Sequence, residues 1–77
     1  MNTLRPGECG TVRAIQLDGS MRRRMQDIGL ILGTPIRCVG TSPLGDPAAF
    51  RIRGAVIALR DSDTALIGIT RPVALWD

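Results

Sequence analysis

The chain has 77 residues, 44% of them hydrophobic, and a net charge of +3 carried by ten arginines with no lysine or histidine. A chain this short makes one small domain, residues 1–77, and buries roughly 60% of the surface its unfolded form exposes. Without histidine there is no general base poised near neutral pH; two isolated cysteines complete neither a disulfide scaffold nor a tetrahedral metal set; and two aromatic residues give no stacking platform for single-stranded nucleic acid.

Leu4 is placed to tuck under a core, and Pro6-Gly7 is a turn signal. Gly10 to Leu17 reads as the first strand. Val12 and Ala14 lie on one face and Ile15 and Leu17 on the other, an imperfect alternation that predicts a bulge or a strand covered on both faces. Asp18-Gly19 turns the chain into the one segment with a helical period. Met21, Met25 and Ile28 recur at i, i+4 and i+7, so they share a face. Gly19 or Ser20 is the expected cap. Gly29 ends the helix in the left-handed conformation, and Leu30 folds back onto Met25 in a Schellman ending. Gly33 punctuates the entry into the next extended run.

Arg22, Arg23 and Arg24 are expected in the first turn, where the helix dipole disfavours cations by a few tenths to about 1 kcal/mol each. Two readings compete. The triplet is either a solvated face opposite the Met stripe or a docking patch for an acidic or phosphate-bearing partner. An all-arginine basic set suits carboxylate or phosphate recognition, and codon usage explains it equally well.

Pro35 to Gly40 is the second strand, opened by a proline that could not sit at its centre. Thr41 to Pro47 is a turn-rich loop around Gly45, with Leu44 either capping a barrel end or standing out as a contact residue. Ala48–Arg53 and Ala55–Arg60 form the clearest hairpin, turning at Gly54, with Phe50, Ile52, Ile57 and Leu59 facing the core and Val56 and Ala58 facing outward. Asp61-Ser62-Asp63 reads as a tight turn or one turn of 3₁₀ helix. Ala65–Thr70 is the last strand, stopped by Arg71-Pro72 and followed by an apolar tail containing Trp76. Cys9 and Cys38 read as small buried, reduced residues. The pattern predicts a mainly all-β fold, a small, partly open antiparallel barrel of about five strands with one short helix after the first strand. No apolar run reaches membrane-span length and no charged-then-apolar leader occurs, which predicts a cytoplasmic location. No nucleophile elbow, P-loop or dinucleotide fingerprint is present. The expectation is a non-enzymatic binding or regulatory module with no catalytic residue, metal site or cofactor.

The order of motifs carries a resemblance. Met25-Gln26-Asp27-Ile28-Gly29-Leu30-Ile31-Leu32-Gly33-Thr34 resembles the L-x-E-L-G-L-x-P-G-T segment of the ferrous iron transport protein A (FeoA) family. Ser42-Pro43-Leu44-Gly45-Asp46-Pro47 is similar to its P-L-G-D-P loop, Phe50 to Arg60 to the hairpin that follows, and Leu4, Gly7 and Gly10-Thr-Val to its opening. The resemblance implies an SH3-like barrel and a cytosolic accessory to the FeoB-type transporter, a membrane protein with a cytosolic GTP-binding domain. It implies no electron transfer, no hydrolysis and no bound iron. Two positions depart from the pattern: Leu32 replaces the usual proline and Asp27 the usual glutamate. Leu30, Ile31 and Leu32 then form an apolar run that cannot all face one small core.

The leading expectation is docking on the transporter through Arg22, Arg23, Arg24, Leu30, Ile31 and Leu32, with Leu44. The alternative is an SH3-like interaction module related to the C-terminal domain of iron-dependent repressors. Nucleic-acid binding and membrane insertion are not expected, and self-association through the exit loop or the Trp76 tail stays open.

Overall fold

The computed structural model of the chain describes residues 1–70 and the backbone of the strand Val73–Ala74. The order is β1 (Glu8–Ile15), α1 (Gly19–Asp27), β2 (Pro35–Thr41), β3 (Ala48–Ile52), β4 (Ala55–Leu59), α2 (Asp61–Thr64), β5 (Ile67–Ile69) and β6 (Val73–Ala74). All pairings are antiparallel. The sheet runs β4-β3-β2-β1-β5, and β6 pairs with the start of β1. Register follows side-chain alternation. Ile36 faces Ile52, Cys38 faces Phe50 and Phe50 faces Ile57, so one row of apolar side chains crosses three strands.

That row is the core. Phe50, Ile36, Ile52, Cys38 and Ile67 are buried from the sheet, Met25 and Leu30 from α1 and its exit, and Leu4 from the opening turn. Each large side chain among them contributes about 1.5–3 kcal/mol on burial. Ile57 and Leu59 turn inward and Val56 and Ala58 outward, as the alternation predicts. The pairing of β1 with β5 slips between Val12 and Ala14, which is the bulge, the first of the two readings of its imperfect alternation. The outcome is the small, mainly β barrel with a short helix after its first strand.

Several boundaries move. β1 starts at Glu8 rather than Gly10 and stops at Ile15, although Leu17 beyond it is still buried. The helix begins at Gly19, with Asp18 in the extended N-cap conformation and no side chain capping it, so neither Gly19 nor Ser20 is the cap. Starting earlier than expected, it carries the arginine triplet beyond the first turn. Arg24 lies in the last turn, where the dipole favours it. Asp61–Thr64 forms a four-residue α-helix with acids in its first turn, where the sequence predicts a tight turn or one turn of 3₁₀ helix. The last predicted strand loses Ala65 and Leu66 to that helix's exit turn. The two-residue β6 was not legible, because so short a strand has no period. Cys38 is buried but Cys9 only half-buried, because β1 turns Cys9 away from the core face. Trp76 lies outside the described residues.

The chain leaves α1 through Gly29, at φ +91°. A Cβ there would lie 2.6 Å from Arg53 Cδ and 3.0 Å from its Nε, so displacement of that side chain adds to the backbone strain. Gly29→Ala is expected to destabilise the fold by about 1–2 kcal/mol, read as a lower urea midpoint with an unchanged slope.

Candidate docking surface at the helix exit

An α-helix ends with four carbonyls that lack intrahelical partners. Here two of them, on Met25 and Gln26, are met by the N–H groups that follow the last helical bond. The Ile28 N–H donates to Arg24 O (3.3 Å), the Gly29 N–H to Gln26 O (2.9 Å) and the Leu30 N–H to Met25 O (2.9 Å), which is the Schellman pattern the glycine predicts. It drives Leu30 into the core, where it is 0% exposed.

The next four residues form a pinned loop. Thr34 is buried; its Oγ1 accepts from the Ile31 N–H (3.1 Å) and donates to Gly29 O (3.0 Å). The Thr34 N–H closes the turn onto Ile31 O (3.1 Å). β1 holds the loop from beneath: the Val12 N–H donates to Thr34 O (3.0 Å) and the Gly33 N–H to Val12 O (2.8 Å). From the hairpin side, Arg53 Nε also donates to Gly29 O (3.2 Å). With its backbone fixed on three sides, the loop presents Ile31 (43% exposed) and Leu32 (62%) outward.

The predicted docking residues therefore separate. Arg23 and Arg24 are exposed on α1, and Ile31 and Leu32 follow on the exit loop. Leu30 offers no surface, because the helix ending buries it. Arg22, though exposed, is tied back to the barrel: its Nη1 donates to Ile15 O (3.1 Å) and Leu17 O (3.3 Å), capping the ragged end of β1. Leu44 is 93% exposed and caps nothing. It sits past the far end of β2 from Leu32, roughly 20 Å away at the rise of a strand, so it is not part of the same patch. Gly33, Gly45 and Gly54 all take left-handed conformations at their turns.

Sequence reasoning missed Thr34. A threonine before a proline is held extended, and its hydroxyl bonds readily to nearby backbone, so Gly33-Thr34-Pro35 did carry a signal. Among the described residues no three His, Cys, Asp or Glu side chains converge as a metal-holding group, and no helix is long and apolar enough to cross a membrane. Burial pushes the Cys38 thiol up from its ordinary pKa, with Glu8 adding to the shift and a contact to Gly40 O opposing it.

An antiparallel barrel with a helix inserted after its first strand and an apolar exit loop defines a small domain of the SH3-like kind. The chain belongs to the FeoA family, whose domain model matches residues 1–71. Among solved structures, iron(II) transport protein A of Clostridium thermocellum is 28% identical at a TM-score of 0.85, covering 90% of this chain and 43% of its own. FeoA of Chlorobium tepidum is 26% identical at 0.83, covering 88% and 65%, and a FeoA-like protein of Clostridium acetobutylicum is 32% identical at 0.78, covering 99% and 85%. The chain thus spans less than two thirds of the first two relatives. A Stenotrophomonas maltophilia FeoA solved with zinc, 22% identical at 0.78 and covering 90% and 86%, shares the fold. It is described as a procaryotic SH3 domain protein and a candidate activating factor of bacterial ferrous iron transport. No curated protein matches the chain.

Thr34→Val keeps the volume but leaves Gly29 O with one donor fewer and the Ile31 N–H without its side-chain partner, so chemical denaturation is expected to show a loss of about 1–3 kcal/mol. Arg22→Ala is expected to cost about 0.5–1 kcal/mol, while Arg23→Ala stays within about 0.5 kcal/mol of the parent. A thiol reagent at pH 8 is expected to modify Cys9 in the native protein and Cys38 only after unfolding. Equal reaction at both thiols would contradict the burial of Cys38.

Proposed function

We propose that the protein is a cytoplasmic, non-enzymatic accessory of bacterial ferrous iron uptake that docks on the cytosolic region of a FeoB-type transporter, with residues 1–77 acting as one domain. Membership of the FeoA family supports the system. The observation that carries the docking mode is the pinned exit loop, which holds Ile31 and Leu32 in water after a helix that exposes Arg23 and Arg24. Two large apolar side chains on a loop already fixed by Thr34, Val12 and Arg53 lose little further freedom on binding. The flanking guanidiniums supply a charged rim that guides encounter more than it sets affinity. Neither catalysis nor a cofactor is needed for this role.

The test is a titration of isotope-labelled protein with the cytosolic GTP-binding domain of its transporter, followed by amide shifts. Shifts are expected to cluster on residues 22–33. Arg23→Glu combined with Ile31→Asp, both exposed and outside the core, is expected to weaken binding at least tenfold while the remaining amide spectrum is retained. Unchanged affinity in that folded variant would place the contact elsewhere.

A further inference from the structure

The hairpin ends in an unguarded edge. β4 is the terminal strand of the sheet path, paired only with β3. Its residues are Ala55-Val56-Ile57-Ala58-Leu59, with no charge and no proline. Edge strands in native proteins are blunted by such residues, because a free edge is a template for another strand.

The register says which groups are free. Arg53 (φ +50°) and Gly54 (φ +84°) make a two-residue turn of the type I′ kind, so Ile52 and Ala55 close the hairpin as a hydrogen-bonded pair. Counting along the ladder, Phe50 and Ile57, then Ala48 and Leu59, are the next bonded pairs. Val56 and Ala58 therefore point their N–H and C=O groups away from β3.

Beside that edge runs a groove of about 350 Å³. One wall is a single helical face, Met21, Arg24, Met25 and Ile28; the other is Ile57 to Arg60, closed by Asp63 of α2. Met21, Ile28 and Ile57 are half-buried and pack against the core, so the floor is apolar and supported. Two guanidiniums against one carboxylate leave the rim positive.

We propose that this groove and the β4 edge form a second binding site, which takes an extended segment of a protein partner by strand addition. The segment pairs its backbone with Val56 and Ala58 and lays apolar side chains at alternate positions against Met21, Ile28 and Ile57. Acidic residues flank it, facing Arg24 and Arg60. Backbone pairing supplies affinity and the alternate pockets supply selectivity. The site shares only Arg24 with the docking surface at the helix exit.

The probe is the capped peptide Ac-Glu-Val-Thr-Val-Thr-Leu-Glu-NH2, added to the full-length labelled protein. At saturation, hydrogen exchange at the Val56 and Ala58 amides is expected to slow at least tenfold. The Ile57 amide, already bonded to Phe50, is expected to change little. Ala58→Pro removes one outward N–H at a position where an edge strand tolerates proline, and is expected to weaken binding at least tenfold. Arg60→Glu, an exposed change, is expected to reverse the preference toward a Lys-flanked version of the same peptide. No slowing at Val56 and Ala58, or equal binding of the Glu- and Lys-flanked peptides by the parent protein, would overturn the proposal. So would sedimentation of the free protein as a dimer with those two amides already protected, since a second copy would then own the edge. Because the probe is a peptide and the exit loop is untouched by Ala58→Pro and Arg60→Glu, failure here leaves docking through Ile31 and Leu32 standing, and the reverse also holds.

Discussion

The carbonyl of Gly29 is the point on which the exposed surface depends. A helix that stops on the rim of a small barrel must satisfy its last carbonyls or lose stability for each one. This chain does so by turning left-handed at Gly29, which aims that residue's own C=O at two donors from different parts of the sequence, Thr34 Oγ1 and Arg53 Nε. One donor fixes the exit loop and the other fastens it to the hairpin. The outward aim of Ile31 and Leu32 follows from this geometry. An apolar side chain on a mobile loop would collapse onto the nearest hydrophobic surface; on a pinned loop it stays in water.

Much of this was legible in the sequence because it is written in local chemistry. The spacing of Met21, Met25 and Ile28, followed by Gly29 and Leu30, gave the helix, its ending and the burial of Leu30 in a single pattern. Phe50, Ile52, Ile57 and Leu59 gave the hairpin and its inward face. What could not be read depends on distant residues. Arg22 looks like its two neighbours in the triplet, and only the tertiary position of Ile15 and Leu17 shows that it is tied to the barrel. Arg53 reads as an outward strand charge, yet its reach to Gly29 spans 24 residues. Leu44 and Leu32 both read as exposed apolar residues near turns, and only the course of β2 shows that they lie beyond its opposite ends.

The same division applies to charge. Ten arginines in so short a chain look like a diffuse positive field, but the fold gives them different work. Arg22 and Arg53 spend their donors on backbone carbonyls, Arg37 lies half-buried with its Nε lacking a hydrogen-bond partner among the described residues, and Arg23, Arg24 and Arg60 face water. A guanidinium has five donors in a rigid fork, so it can brace a loop and still present charge. Lysine at position 53 would carry the same charge without the planar fork. In a domain too small for a large core, such braces add order where packing cannot.

The position of β1 also bears on how the chain is made. β1 is paired on both sides, with Val12 facing Ile69 and Ile15 facing Ile67 on one and Cys9 facing Arg37 on the other. The first strand synthesised is thus completed by one of the last. Until residue 69 has left the ribosome, β1 has an open flank, and closing it joins segments more than 50 residues apart, a non-local step that slows folding relative to a helical domain of the same length. Barrel closure is in this sense a report that translation has reached the end of the domain, and a nascent chain that stalls before β5 leaves the long strand β1 as an open edge.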